Sequence, residues 1–138
     1  MKKITSKLLN KIFFLMAVGL SIGILFFVIG VAWIGYEAKN QCERAKLAYE
    51  GDCVEALISL LNDTNRSFRE RNDAIWTLGQ LGDSRALPVL ETYYTGNILD
   101  REPLNETISQ YELRKAVNLT SGGTNIIGWM WRDGVIAK

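Results

Sequence analysis

An uninterrupted apolar segment near the N-terminus constrains the fold of this chain more than any other feature. Residues 12–36 read IFFLMAVGLSIGILFFVIGVAWIGY and contain no charged side chain. As an α-helix the segment would extend about 37 Å, which exceeds the roughly 30 Å hydrocarbon core of a bilayer. A chain of 138 residues is too short to bury such a helix in a soluble core, so we predict a transmembrane signal anchor over 12–36.

A cleaved secretory signal is the alternative interpretation of this segment. The apolar region of a signal is about 7–15 residues long, which is shorter than the segment found here, although Gly30 and Ala32 could imitate a cleavage site. The length favours an uncleaved anchor, with Trp33 and Tyr36 placed where aromatic rings prefer to lie, at the membrane–water interface.

The charges that flank the segment predict its orientation. Residues 1–11 form a basic tail with four lysines and no acid, and the first bases after the segment are Lys39, Arg44 and Lys46. Because an excess of positive residues marks the cytoplasmic side, we expect a cytoplasmic N-terminus and an extracytoplasmic domain over 37–138. The predicted location is the cell inner or plasma membrane, which the chain would cross once.

Three glycines within the segment fall on nearly the same helical face: Gly19, Gly23 and Gly30. Small residues let two helices approach closely in lipid, which predicts a helix-pairing face for a homo-oligomer or for a membrane-embedded partner. Glycine is also common in membrane helices that have no such role, and the sequence leaves both interpretations open.

Residues 37–138 carry the apolar spacing of an all-α domain. One helical face, which would extend the membrane helix to about residue 50, is marked by Ala38, Cys42, Ala45 and Tyr49. Further helices are predicted after residue 52 and over 68–81, 84–95 and 106–120. The last segment, NIIGWMWRDGVIAK, is ambiguous between helix and strand.

An internal repeat appears within these helices. The Gly-Asp dipeptide at 51–52 precedes an Ala-Leu-x-x-Leu pattern, and the same arrangement follows the Gly-Asp dipeptide at 82–83. Upstream, Leu47 stands at the position that corresponds to Leu78. Each unit is predicted to be two helices joined by a glycine-aspartate turn, and such units bury their apolar faces by stacking. We therefore expect one transmembrane helix followed by a short α-solenoid of two to three helical hairpins.

The stretch RNDAIWTLGQLGDSRALPVLETYYTG, residues 71–96, resembles a HEAT-like repeat of the phycobilisome-lyase type. Residues 42–61 match more weakly, and a degenerate third copy near 112–123 aligns Arg114 with Arg71 and Gly122 with Gly79. The resemblance implies a HEAT-like α-solenoid that acts as a protein-binding scaffold. Chromophore chemistry is not carried over, because no feature of the sequence would hold a bilin.

Four residues of the best-matching unit are assigned structural roles: Arg71, Gly79, Gly82 and Asp83. Gly79 would allow two helices to approach closely, Gly82 would close the turn, and Asp83 would cap the next helix. Arg71 is expected to bond to an acid or a carbonyl group of a neighbouring repeat. All four positions are predicted to build the stack.

The two cysteines of the chain, Cys42 and Cys53, lie on the apolar stripes of successive predicted helices. An exported domain permits a disulfide between them. With a helix that continues to residue 50, however, Cys42 would lie on the order of 13 Å from the turn, whereas a disulfide requires Cα atoms within about 7 Å. A disulfide and two buried thiols are therefore both considered.

The C-terminal segment contains Trp129, Met130 and Trp131 in succession. Tryptophan is enriched at interface hot spots, and methionine is enriched at protein interfaces generally. These residues also suit a cap that covers the open end of a short solenoid. We favour the end cap, with an interaction surface as the alternative.

The composition argues against several classes of function. The chain has no histidine, which disfavours most zinc sites and histidine-dependent triads. Neither a carboxylate pair in a cleft nor a broad basic surface is predicted, so we expect no catalytic or metal site, no cofactor and no nucleic-acid partner. A non-catalytic, membrane-tethered scaffold that binds another protein fits best. The alternatives are an accessory subunit recognised through its transmembrane helix and a small enzyme or redox-active thiol protein.

Overall fold

The computed structural model describes the backbone of residues 2–136 and the side chains of residues 6–135. Within this part of the chain there are six α-helices, one 3-10 helix and no strand, which confirms the all-α prediction. The side chains of Lys2 and Lys3, in the predicted basic tail, lie outside the described residues. The elements are α1 (Lys2–Ala48), α2 (Cys53–Asn62), α3 (Phe68–Leu81), the 3-10 helix (Ser84–Ala86), α4 (Leu87–Tyr93), α5 (Gln110–Thr120) and α6 (Ile126–Ile136).

The chain divides into two compact units, one that ends at Trp33 and one that begins at Ile34. In the first unit, the side chains of residues 6–30 are all exposed. This part of α1 belongs to a helix that is long and apolar enough to cross a membrane. Apolar helices near an N-terminus also occur in signal sequences, so the helix fits either a membrane anchor or a signal sequence.

The second unit has an apolar core with α3 at its centre. This helix packs against α2, α5 and α6, and its Leu78 is buried in the same cluster as Leu90 of α4. The ends of α3 follow from the sequence. Ser67 and Glu70 form a capping box at its start, and Gly82 ends it in the left-handed conformation, with φ 60°.

Helices α2 to α5 form the stack that the repeat predicts. The short loop 63–67 joins α2 to α3, and the two helices pack side by side, so they run antiparallel. Asn72 Oδ1 accepts a hydrogen bond from the backbone N–H of Ser109 at 2.8 Å, near the starts of α3 and α5. Further along the same two helices, Gly79 lies against Ala116. Helices α3 and α5 are therefore parallel, as equivalent helices of successive repeats are.

The last turns of α1 are arranged differently. A disulfide joins Cys42 to Cys53, with the two Cα atoms 5.0 Å apart, so α2 begins beside Cys42. Near the other end of α2, the Tyr49 hydroxyl donates a hydrogen bond to Asp63 Oδ2 at 2.6 Å. Helix α2 thus runs in the same general direction as the end of α1. In contrast, α4 reverses direction after α3, since the Arg71 guanidinium near the start of α3 lies 5.7 Å from the centre of the Tyr93 ring at the end of α4.

This arrangement overturns two expectations. Leu47, the predicted counterpart of Leu78, is 89% exposed, while Ala45 is fully buried. The distance estimate that argued against a disulfide was also wrong. Helix α1 ends at Ala48, and residues 49–52 fold back along it and bring the start of α2 to the level of the first cysteine. After α3 the corresponding connection is only the dipeptide 82–83. Because the two connections differ in length, the residues of α1 do not align with those of α3 as the repeat predicts.

The later helices differ from the prediction in their ends. The helix predicted over 84–95 is a 3-10 turn followed by α4, which ends two residues early. The helix predicted over 106–120 begins four residues late, at Gln110, because Ser109 is its N-cap and accepts a hydrogen bond from the backbone N–H of Glu112. The ambiguous C-terminal segment is helical and forms α6.

Candidate interaction surfaces

The two glycine-aspartate turns of the repeat lie side by side and share one arginine. Asp52 accepts from the backbone N–H of Glu55 at 3.0 Å, and Asp83 accepts from that of Arg85 at 2.9 Å, so each aspartate caps a helix. The Arg85 guanidinium donates to both carboxylates, through Nη1 to Asp52 Oδ2 at 2.6 Å and through Nη2 to Asp83 Oδ2 at 2.9 Å. We call these three side chains the turn clasp.

The turn clasp shifts the titration of both aspartates. The hydrogen bond from Arg85 holds the pKa of Asp83 below its usual value. At Asp52, burial raises the pKa, but the backbone N–H of Glu55 and the Arg85 guanidinium outweigh burial, and the net pKa is lowered. Both carboxylates are therefore held in the charged form that bridges the two turns.

The other two assigned repeat positions, Gly79 and Arg71, make contacts with neighbouring helices. A Cβ atom added to Gly79 would lie 2.9 Å from the Cα atom of Ala116, so only hydrogen fits between α3 and α5 at this point. Arg71 is buried, and its Nε donates to the carbonyl oxygen of Leu61 at 2.8 Å. Arg71 thus bonds to a carbonyl group of the preceding helix, one of the two partners expected for it.

The alignment of the third repeat copy is wrong. Arg114, aligned with the buried Arg71, is exposed, and its guanidinium lies 5.4 Å from the centre of the Tyr111 ring. Gly122, aligned with Gly79, lies in the turn after α5 with φ 104°, and an added Cβ would meet nothing within 4 Å. Helix α5 joins the stack through its own apolar face, which includes Leu113 and Ala116.

A shallow cavity of about 270 Å³ lies where the loop 94–109 meets the start of α5. We call it the loop cavity. Its lining combines three exposed apolar side chains and three acids: Leu99, Leu104, Tyr111, Asp100, Glu102 and Glu112. Sequence reasoning missed this surface because the loop has no repeat pattern. The signal that could have indicated it was the group of charged residues at the centre of the loop, a few residues before a predicted helix.

Hydrogen bonds to Glu102 and Asn72 hold the loop in place. Glu102 Oε1 accepts from the backbone N–H groups of Gln110 at 2.8 Å and Tyr111 at 3.2 Å, and Oε2 accepts from the Ser109 hydroxyl. Such N–H groups in the first turn of a helix have no helical acceptor. Asn72 Nδ2 also donates to a loop carbonyl at 3.0 Å. The exposed side chains of the loop cavity therefore stand on a fixed backbone.

The three residues predicted as an end cap or interaction surface lie on two faces of α6. Trp131 packs against the core, and a Cβ added to Gly35 would lie 2.9 Å from its Cγ atom. In contrast, Trp129 is 78% exposed and Met130 is 54% exposed. Trp131 thus faces the core, while Trp129 and Met130 form part of an outward apolar surface. The end cap and the interaction surface both stay predictions.

The predicted helix-pairing glycines lie on the exposed part of α1. A Cβ added to Gly19, Gly23 or Gly30 would meet no atom within 4 Å. Within the described chain, the glycine face is therefore open to a second helix or to lipid.

The cysteine pair forms part of the core rather than of an exposed thiol site. Both side chains are buried in the main apolar cluster. Their disulfide fixes α2 to α1 across a sequence separation of 11, so it contributes to the architecture of the second unit.

Comparison with known proteins gives one local similarity. A family model described as the PBS lyase HEAT-like repeat matches residues 70–94. These residues cover most of α3 and all of α4, and they include Gly79 and two members of the turn clasp. No curated protein and no solved structure matches the chain. Since HEAT-like repeats generally mediate protein binding, the match indicates a helical module of the protein-interaction type.

Proposed function

We propose that this chain is a single-pass membrane protein that holds a non-catalytic helical stack outside the cytoplasm, where the stack binds another protein. The observation that carries the proposal is the HEAT-like unit at 70–94, which is packed into a stack in a chain whose N-terminal helix is apolar enough to cross a membrane. Stacked repeats present extended surfaces, which suit protein partners.

Two features support the extracytoplasmic location of the stack. The basic tail over 1–11 contains four lysines and no acid, and such tails favour the cytoplasmic side. The second unit contains the Cys42–Cys53 disulfide. Structural disulfides persist in oxidising compartments and are rare in the cytosol.

The loop cavity is the surface that we assign to partner binding. Leu99, Leu104 and Tyr111 are 54%, 50% and 47% exposed on a backbone fixed by hydrogen bonds. Apolar and aromatic side chains supply binding energy, and the exposed carboxylate of Asp100 beside them favours a partner with positive charge. The matching partner is a protein segment that presents apolar side chains together with lysine or arginine.

Carbonate extraction and a topology reporter test the tether. The intact chain is expected to stay in carbonate-washed membranes, because the segment 12–36 would remain in the bilayer. A reporter that is active only after export, fused after Lys138, is expected to be active. Release of a shortened soluble product would instead identify the segment as a cleaved signal. Activity confined to a cytoplasmic reporter would reverse the proposed orientation.

An accessory subunit recognised through its transmembrane helix is the second candidate. The open face formed by Gly19, Gly23 and Gly30 favours it, because small residues permit close helix pairing in lipid. The same face could pair two copies of this chain. Replacement of Gly19 and Gly23 by leucine would abolish recognition in this case and leave the stack folded.

A further inference from the structure

Helix α6 has an apolar face that the core does not cover. Its inner face is packed, because Trp131 and Val135 lie against the core and Arg132 Nη2 donates to the carbonyl oxygen of Gln80 at 3.3 Å. The outer face of its first two turns presents three side chains that are 69%, 78% and 54% exposed: Ile126, Trp129 and Met130. The spacing of these residues, three and four apart, places them on one side of the helix.

The packing of Trp131 places α6 beside Gly35. Trp131 packs on Gly35, where an added Cβ would lie 2.9 Å from its Cγ atom. Gly35 is the last residue but one of the apolar segment 12–36, and its neighbour Tyr36 is 70% exposed. Helix α6 therefore packs on residue 35 of the second unit, which in sequence is one residue before the end of the apolar segment. In a membrane, this is the level at which tryptophan and tyrosine accumulate.

We propose that Ile126, Trp129 and Met130 rest in the interfacial layer of the bilayer that the anchor crosses, so that lipid covers this face. The inference rests on the proposed function, because it requires the segment 12–36 to span the membrane. Because α6 packs on Gly35, next to the end of that segment, lipid is the occupant that we assign to this face. The tether also keeps α6 next to the bilayer, so the contact needs little affinity of its own.

The charge on the same face limits the depth of this contact. Asp133 follows one turn after Met130 and is exposed. A carboxylate is costly in hydrocarbon, so the third turn of α6 stays among the headgroups and the first two turns carry the apolar contact.

Tryptophan fluorescence of the full chain in lipid vesicles tests the proposal. The chain is reconstituted in phosphatidylcholine with or without brominated acyl chains, which quench nearby indole rings. Subtraction of the emission of W129F, W33F and W76F from that of the wild type isolates three components. Trp33 reports on the anchor, and the half-buried Trp76 of α3 is the matched control. Circular dichroism verifies that each variant keeps the helix content of the wild type.

The Trp129 component is expected to lose most of its intensity in brominated lipid and to be protected from aqueous iodide, while the Trp76 component keeps its intensity. If Trp33 is quenched and Trp129 is quenched only by iodide, the anchor stands and the α6 contact is overturned. If neither Trp33 nor Trp129 responds to brominated lipid, the proposed anchoring fails as well. Protection of Trp129 from both quenchers would assign the face to a protein or to a second copy, and would also overturn the proposal.

A charge placed on the outer face gives a second test that keeps Trp129. Because Met130 is exposed, M130K leaves the core packing of α6 intact. Comparison of M130K with M130K/W129F isolates the Trp129 component of this variant. Weaker quenching by brominated lipid than in the wild type supports the lipid contact, whereas unchanged quenching contradicts it.

Discussion

Residues 70–94 and residues 42–61 carry the same glycine-aspartate turn and the same apolar pattern after it, yet they are built differently. In the first region, α3 reaches the turn directly and buries Leu78. In the second region, α1 ends before the turn, and Leu47 at the matching position is exposed. The repeat pattern therefore identifies the turn and the helix after it, but not the register of the helix before it.

The difference has a physical cause in the connection between the helices. A two-residue turn reverses the chain after α3, whereas residues 49–52 fold back beside α1 so that α2 can run in the same general direction. The disulfide and the hydrogen bond from Tyr49 to Asp63 hold that connection at its two ends. One region is thus a pair of helices that join at a two-residue turn and share the apolar core, and the other is a disulfide-bonded junction between α1 and the stack.

The largest expected effect on stability concerns Leu78 and Leu47, the two leucines that the repeat pattern aligns. L78A removes a fully buried side chain and should lower the free energy of unfolding by about 2–5 kcal/mol, through lost apolar burial and a residual cavity. L47A changes an exposed residue and should cost less than about 0.5 kcal/mol. Denaturant unfolding of the purified full chain in detergent measures both. Equal costs for the two variants would show that the regions are built alike.

The disulfide should have the next largest effect. C42S/C53S opens a loop with a sequence separation of 11 and should lower the free energy of unfolding by about 2–3 kcal/mol, because the unfolded chain gains freedom. Unfolding is measured with and without reductant. Reductant should destabilise the wild type and leave the double variant unchanged. If reductant leaves the free energy of unfolding of the wild type unchanged, the disulfide-bonded junction is contradicted.

Gly79 and Ala48, which the weak repeat match aligns, offer a smaller contrast. G79A should lower the free energy of unfolding by about 1–3 kcal/mol, because its Cβ would lie 2.9 Å from a backbone atom of Ala116. The cost of this clash should exceed the stability that alanine gains over glycine through its higher helix propensity. A48G changes an exposed residue at the end of α1 and should cost at most about 1 kcal/mol. Thermal unfolding compares the two, and a stabilised G79A would show that α3 and α5 are not in close contact.

The turn clasp should have the smallest effect, and that effect should depend on pH. R85Q should cost at most about 1 kcal/mol, because the ion pairs are partly exposed and screened by water. The pKa values of Asp52 and Asp83 are lower in the folded state than in the unfolded chain. Their contribution is therefore complete above about pH 4 and is lost as the pH falls through the folded-state values.

Unfolding of wild type and R85Q across acidic and neutral pH measures this dependence. The difference between the two proteins should be greatest near neutrality and should vanish in acid. R114Q is the matched control, since the Arg114 guanidinium lies over the Tyr111 ring and its loss should not follow the titration of the two aspartates. A difference between wild type and R85Q that grows in acid would contradict the clasp.

The sequence predicts most elements of the fold and fewer of its surfaces. Local signals fix α3, since Ser67 and Glu70 start it and Gly82 ends it. The place of Cys42 beside Cys53 was not predictable, because it depends on how residues 49–52 fold back. The loop cavity was missed for a similar reason. Its acids and apolar residues come together through hydrogen bonds that Glu102 and Asn72 make between the loop and its surroundings.

We propose that the stack, and not the anchor, recognises a partner protein. Crosslinking of the tagged chain in native membranes, followed by identification of the bound proteins, tests it most directly. We expect a crosslinked partner that is lost in L104S/Y111A, which alters the loop cavity, and retained in G19L/G23L, which alters the helix-pairing face. Retention of the partner in the first variant and its loss in the second would overturn this proposal and assign recognition to the transmembrane helix.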